Sequence, residues 1–471
     1  MKKTKSREHF TKTTYIEQSP TEVFRWHARP GALERLTPPW EDVRITESSG
    51  PLKSGLRVVL QNRVGPLHLE WIADHVEVIE GQGFTDVMSA GPFSSWRHEH
   101  RFEKAGSGCR LVDEIQYQLP GGTLGRLLAG RFVKNKLDRM FAFRHRITEQ
   151  DLATHAKGDA TMKVLIGGST GMLGNALTAF LSTGGHETRR LVRPSTTAIH
   201  DTSTVAWAPT KGEIAQDALE GVDAVVHLGG VNLANHRWTS SFKRAVRDSR
   251  VISTRLLAET IARAPIKPKT FICASGISIY GDGGAEPITE QNRIAEGFLA
   301  EVCQAWEDAT QPARDAGVRV VNLRIGIVLS PKGGALPKFL LPFRLGLGGP
   351  FGDGTQVMSW ISIEDAVGAI HHALTHSDLE GPINVTAPHP VTNRTFSKTL
   401  GRVLSRPAIL PVPKVAARLI LGKERATDFL FTSAHVLPSK LEASGYTFRH
   451  PHLEGALEAL LGVTEKAGVP D

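Results

Sequence analysis

Three glycines at three-residue spacing, Gly168, Gly171 and Gly174, stand between a short apolar run and an apolar-periodic one, and no other feature narrows the possible fold as far. Lys163–Ile166 reads as a strand and Asn175–Leu181 as a helix. Between them lies Gly167-Gly168-Ser169-Thr170-Gly171-Met172-Leu173-Gly174. Each glycine has a physical task in such a strand–turn–helix: the first permits a tight turn, the second lets backbone approach a pyrophosphate, and the third lets helix and strand pack closely. The helix N-terminus then offers unpaired N–H groups to the anion. A glycine turn that holds no ligand is the alternative.

A second strand, Glu187–Val192, ends at Arg193, 19 residues after Gly174. An acid about 20 residues on would grip the ribose hydroxyls of NAD. Here the neighbourhood is Arg189, Arg190 and Arg193 with no acid among them, which favours a 2′-phosphate and hence NADP(H). A surface arginine is the competing reading. Further strands, Ala224–Leu228 running into Gly229 and Gly230, Thr270–Ala274 running into Ser275, and Arg319–Leu323 before Arg324, alternate with helical segments. That alternation predicts a doubly wound parallel α/β sheet whose ligand crevice lies at the carboxyl ends of its strands. Loop residues Gly168 to Gly174, Arg193, Leu228, Gly229 and Gly230 are the candidate cofactor contacts.

The chain is 471 residues long, enough for two large domains. Its apolar runs are too short for a membrane span, and the basic N-terminus is not followed by the apolar stretch of a secretory signal, so the cytoplasm is expected. Cys109, Cys273 and Cys303 lack metal spacing and suit reduced packing thiols. The net charge of +8 is spread evenly, with 23 Lys and Arg against 19 Asp and Glu through Asp151 and 33 against 29 beyond it. Nucleic acid is not an expected partner.

Before the glycine loop, strand-like segments cover Phe10–Glu17, Leu56–Asn62, Leu67–His75, Trp96–Phe102 and Arg110–Gln118, with short helical turns at Thr21–His27 and Pro30–Leu36. A long amphipathic helix follows. It carries Arg126, Arg131, Lys134, Lys136, Arg139, Arg144 and Arg146, and between them Leu124, Leu127, Leu128, Phe132, Val133, Leu137, Met140 and Phe141. A core helix with a solvated basic face is expected, and contact with an anionic surface is the alternative. In WRHEHRFE, alternation places Trp96, His98, His100 and Phe102 on one face. With no third ligand visible, no metal is expected there, nor at His372 and His376.

The motifs TYIEQSPTEVFRW, WRHEHRFE and LVDEIQYQLP give Phe10 to about Gln150 a resemblance to the START-like, polyketide-cyclase-type helix-grip family. That resemblance implies an α+β domain able to take an apolar ligand. From Met162 to about Gly462, the glycine loop with DAVVHLGGVNLANHRWTSSFKRAVRDSRVISTR, FICASGISIYGD and RLGLGGPFGDGTQVMSWISIEDAV resembles the atypical extended short-chain dehydrogenase/reductases, the epimerase-family proteins. The tail RLILGKERATDFLFTSAHVLPSKLEASGYTFRHP resembles the C-terminal domain of unknown function of that branch. The expected organisation is a helix-grip domain over 1–151, a polar linker over 152–161, a Rossmann-like domain over 162–390 and a small domain over 391–471 completing the substrate cleft.

Family membership implies NADP(H) and a small-molecule substrate, but the family's acid/base pair is missing. An unassisted phenol with a pKa near 10 is a poor base, so classical members pair Tyr with a Lys four residues on. Four positions after Tyr15, Tyr117, Tyr280 and Tyr446 stand Ser19, Gly121, Gly284 and His450. The usual Tyr position falls near Phe298. Ser275 matches the family serine, and Tyr280 lies five residues beyond it, making these two the catalytic candidates. An NADP(H)-dependent oxidoreductase or epimerase with altered acid/base groups, and an NADP(H)-binding sensor without turnover, are the two readings.

Overall fold

The computed structural model describes residues 7–48, 50–64, 67–158, 160–194, 203–233 and 236–463. The chain divides into two compact units: Met1–Ala160 with Ser182–Gly185 and Leu461–Asp471, and Thr161–Leu181 with His186–Leu460.

Among its described residues, the first unit is built on a seven-stranded antiparallel sheet and three helices that precede the second unit in sequence. Its strands are β1 (Glu8–Ile16), β2 (Val43–Ser48), β3 (Arg57–Val64), β4 (Leu67–Ile79), β5 (Gly83–Ala90), β6 (Ser95–Ala105) and β7 (Gly108–Gln118), in spatial order β1-β7-β6-β5-β4-β3-β2. The helices are α1 (Pro20–Ala28), α2 (Ala32–Leu36) and α3 (Gly122–His155). Helix α1 starts where Ser19 accepts from the Glu22 N–H while the Glu22 carboxylate accepts from the Ser19 N–H, with Pro20 in the first turn. Ile16, Phe24, Trp26, Phe102 and Leu111 form one core cluster, and Phe10, Trp96, Ile115, Tyr117 and Phe141 another.

Two expectations change here. Helix α3 runs through His155 and buries Leu152, so the polar stretch expected as a linker from Leu152 begins inside the helix. Leu124, Leu127, Leu128 and Phe132 are 65–82% exposed and do not face a core. Length explains this: 34 residues at 1.5 Å each span about 51 Å, while the nine-residue β1 spans about 30 Å. The helix outruns the sheet, and burial begins in earnest only at Leu137 and Phe141.

In the second unit β8 (Lys163–Gly167), β9 (Glu187–Val192), β10 (Thr204–Ala208), β12 (Ala224–His227), β13 (Thr270–Gly276), β15 (Arg319–Ile325) and β16 (Gly381–Val385) are mutually parallel, with β11 (Glu213–Ile214) antiparallel at one edge. The spatial order is β11-β10-β9-β8-β12-β13-β15-β16. Chain order therefore reverses between β8 and β12, the crevice where doubly wound sheets bind dinucleotides. Helices α4 (Met172–Thr183), α5 (Ser240–Arg263) and α6 (Phe298–Asp308) make crossovers. Val164, Ile166, Val226, Ile272 and Val321 fill one face of the sheet, and Leu165, Val225 and Phe271 the other. Thr204–Ala208 and Gly381–Val385 are strands that the sequence reading missed. The small strands β14 (Pro287–Ile288) and β17 (His435–Val436) pair with each other, so the C-terminal residues interleave with the segment after β13. Among the described residues, no helix is long and apolar enough to cross a membrane.

Candidate nucleotide and substrate site

Gly168 leaves β8 with φ +80°, and a Cβ there would stand 2.7–2.9 Å from the backbone of Leu228 and Gly229. Only glycine tolerates both demands. A Cβ at Gly174 would meet Gly168 O and the Ser169 Cα, so the third glycine seats α4 against the turn. Gly171 donates its N–H to Gly168 O at 3.0 Å and accepts from the Asn175 N–H at 2.8 Å. Met172 and Leu173 open α4, three residues earlier than the apolar pattern places the helix start. The Ser169 hydroxyl is buried and without a hydrogen-bond partner. A buried hydroxyl left unmet costs about 1–3 kcal/mol, so its position beside the α4 N-terminus fits a bound phosphate oxygen. Thr170 lies in the turn after β8, and Gly229 and Gly230 follow the end of β12.

Of the two arginines on β9, Arg189 is committed to Asp217, with Nη2 3.0 Å from Oδ2, and Arg190 Nη2 donates to Ser203 Oγ at 3.3 Å. Arg193 follows the strand end and is exposed.

At the carboxyl ends of β13 and β15 the candidates Ser275 and Tyr280 sit in one buried polar network. Ser275 Oγ donates to Glu307 Oε1 at 2.8 Å. Arg324 grips the same carboxylate twice, Nε to Oε1 and Nη2 to Oε2, both at 2.9 Å. Arg324 Nη1 also donates to the Tyr280 hydroxyl at 2.9 Å, which in turn donates to Asn384 Oδ1 at 2.7 Å. Burial pushes the Tyr280 phenol above its ordinary value, against the downward pull of Arg324. For Arg324, burial works against the charge, but the hydrogen bonds it donates to Glu307 and Tyr280 hold the guanidinium's pKa above its usual range. Glu307, Arg324 and Asn384 come from α6, β15 and β16, and no spacing in the sequence joins them. Glu290 accepts from the Asn384 and Lys440 N–H groups, and Glu286 is exposed.

Phe298 is the first residue of α6, and Val302, four positions on, is buried. Phe298 packs on Trp238 with ring centres 5.5 Å apart, and Trp238 packs on Phe429 at the same spacing. Lys243 Nζ stands 4.9 Å from the Phe298 ring centre and pairs with Glu424. Cys109, Cys273 and Cys303 are buried and unpaired, and burial lifts the Cys273 thiol to about 12, so it is no thiolate at neutral pH. His372 and His376 stack on each other, with His372 bonded to Ser444 Oγ at 2.8 Å.

Residues 164–386 match the NAD dependent epimerase/dehydratase family, 412–460 the domain of unknown function DUF1731, and 16–144 the family of polyketide cyclase/dehydrase and lipid transport. An epimerase family protein of Mycobacterium bovis is 42% identical over 298 residues, covering 63% of this chain and 97% of that relative. The chain belongs to the epimerase family. Within this family, the human protein SDR39U1 is 36% identical over 303 residues, covering 64% of this chain and 100% of the relative. A solved structure of human SDR39U1 with NADPH is 34% identical with a TM-score of 0.58, covering 64% of this chain and all of that one. A nucleoside-diphosphate sugar epimerase from Corynebacterium glutamicum is 33% identical with a TM-score of 0.77, covering 96% of this chain and 90% of that one. The fusion of an epimerase-family unit behind a helix-grip unit is therefore shared with that structure. Tyr-x-x-x-Lys is absent from this family member's sequence, and α6 carries Phe298 and Val302 in its first turns.

Proposed function

We propose that this epimerase-family protein is an NADP(H)-dependent oxidoreductase or epimerase acting on a small molecule, joined to a helix-grip domain that takes an apolar ligand. The observation that carries the cofactor assignment is the glycine turn at the sheet's reversal point, with the orphaned Ser169 hydroxyl beside the α4 N-terminus. Gly168 to Gly174 with Leu228, Gly229 and Gly230 would hold the pyrophosphate, and the exposed Arg193 the 2′-phosphate. That human SDR39U1 was solved with NADPH supports the same choice. Bound there, the nicotinamide supplies hydride transfer.

The protein's own groups must move the proton. Ser275 Oγ already donates to Glu307, so a substrate hydroxyl placed on Ser275 can pass its proton to the serine oxygen as the serine's proton passes to Glu307. Arg324 fixes that carboxylate by two hydrogen bonds. Tyr280 is engaged both as donor and as acceptor, which fits a positioning role for Arg324 and Asn384 better than proton transfer. A second reading, an NADP(H)-binding sensor without turnover, is favoured by one observation: an aromatic cluster stands at Phe298, where the family's phenol would be. A screen of carbonyl and alcohol substrates that follows the absorbance of the reduced nicotinamide separates the two. Turnover that falls in Ser275→Ala with unchanged NADPH affinity supports the enzyme; saturable binding with no oxidation across the screen supports the sensor.

A further inference from the structure

The helix-grip unit holds a buried cluster that the nucleotide chemistry does not use. We propose that Asp86, His98 and His100 form a binding site for a divalent transition-metal ion, with Asp113 as the outer carboxylate that orients the His98 imidazole. Strand register assembles it. Asp86 on β5 lies directly opposite His98 on β6, and His100 on β6 lies opposite Asp113 on β7. His98 and His100 are two apart and share the inward face, with ring centres 4.0 Å apart. All four side chains are buried. One ligand atom from each of Asp86, His98 and His100 lies within 4.8 Å of the others.

One of the three ligand separations already stands at coordination distance. Ligands about 2.0–2.1 Å from a tetrahedral ion stand roughly 3.3–3.4 Å from each other. Asp86 Oδ2 and His98 Nδ1 are 3.2 Å apart. The other nitrogen of His98, Nε2, faces Asp113 Oδ1 at 2.9 Å, the carboxylate–histidine–metal arrangement that fixes a ligand's tautomer and ring direction. Asp113 Oδ1 also lies 2.6 Å from His100 Nδ1, yet that buried nitrogen satisfies no hydrogen-bond geometry. His145 is spent on support: its Nε2 meets Asp113 Oδ2 at 2.5 Å and its Nδ1 meets Thr14 Oγ1 at 2.8 Å.

The charge also balances with an ion bound: one divalent cation with neutral imidazoles offsets the Asp86 and Asp113 carboxylates, which otherwise share His98 between them. Two imidazoles and one carboxylate are the donor set of zinc and ferrous iron rather than of calcium or magnesium, which take oxygen ligands. Three protein ligands leave a fourth position open, so an oxygen atom of a ligand held in this domain could complete the sphere.

The test uses the full chain, stripped with chelator and desalted, then titrated with Zn2+ by calorimetry and with Co2+ by visible absorption. The expected result is a single saturable site per chain, tetrahedral d–d absorption with Co2+, and a rise in melting temperature with Zn2+. Asp86→Asn and His100→Phe, the latter keeping the stack on Phe84, should abolish the site, and Asp113→Asn should weaken it about 10–100-fold. If the parent protein binds neither ion and melts identically with chelator or Zn2+, the proposal falls, whether or not any variant folds. Undiminished binding in folded Asp86→Asn and His100→Phe overturns it equally, by placing the ion elsewhere.

Discussion

Replacing Glu307 by Gln probes the network at the end of β13 and β15 most sharply. The side chains of Arg324 and Glu307 are 6% and 11% exposed and share two 2.9 Å hydrogen bonds, and the carboxylate also accepts from Ser275. Glutamine keeps the shape but leaves the guanidinium buried without its counter-charge. Breaking such a pair on one side costs about 3–5 kcal/mol, because the remaining charge keeps its desolvation penalty. Arg324 retains the Tyr280 hydroxyl as a partner, so the lower half of that range, about 3 kcal/mol, is expected. Removing both charges in Glu307→Gln/Arg324→Met should restore most of the loss, since an apolar replacement is often neutral. Urea unfolding of the full chain, followed by tryptophan fluorescence and by circular dichroism, measures both variants; Trp306, buried on α6 next to Glu307, is one of the eight tryptophans that contribute. A loss below about 1 kcal/mol in the single variant, the range of an exposed pair, would refute the buried-pair reasoning.

Other outcomes follow from the same geometry. Gly168→Ala puts a Cβ 2.7 Å from the Gly229 nitrogen at a φ of +80°, so calorimetry should find NADPH affinity lost and melting should find the fold destabilised. Ser275→Ala should lower kcat with little change in NADPH affinity, whereas Tyr280→Phe should mainly destabilise, by about 1 kcal/mol for the hydrogen bonds it removes. Because burial raises the Tyr280 phenol, it stays protonated throughout neutral pH. The kcat–pH profile should therefore show no basic limb from this group below about pH 10, and Tyr280→Phe should leave the profile's shape unchanged.

The parts of this molecule that were legible in its sequence are those whose signal is local. Strand, glycine turn and helix around Gly168 are contiguous, so their order could be read directly, and the strands ending at Val192, His227 and Gly276 follow as apolar runs bounded by turns. Alternation in β6 likewise placed Trp96, His98, His100 and Phe102 on one face, and these four are the buried ones. What stayed hidden depends on register and partners. Asp86 lies on β5, whose first four residues are all buried, so it lacks the alternation that reveals a strand, and only pairing with β6 sets it against His98. Glu307 is 32 residues from Ser275, and Asn384 is 104 from Tyr280. The leucines of α3 misled for the opposite reason: their periodicity is helical, but periodicity does not say whether a sheet extends far enough to cover them.

The cofactor assignment is tested most directly by titrating the protein with NADPH and with NADH in one buffer, beside Arg193→Ala. A charge-assisted contact contributes about 1.5–3 kcal/mol, and an exposed arginine in salt belongs at the low end, so NADPH should bind about tenfold more tightly. Arg193→Ala should erase that preference while leaving NADH affinity where it was. Equal affinity for the two in the parent protein, or a preference that survives the substitution, would contradict the account.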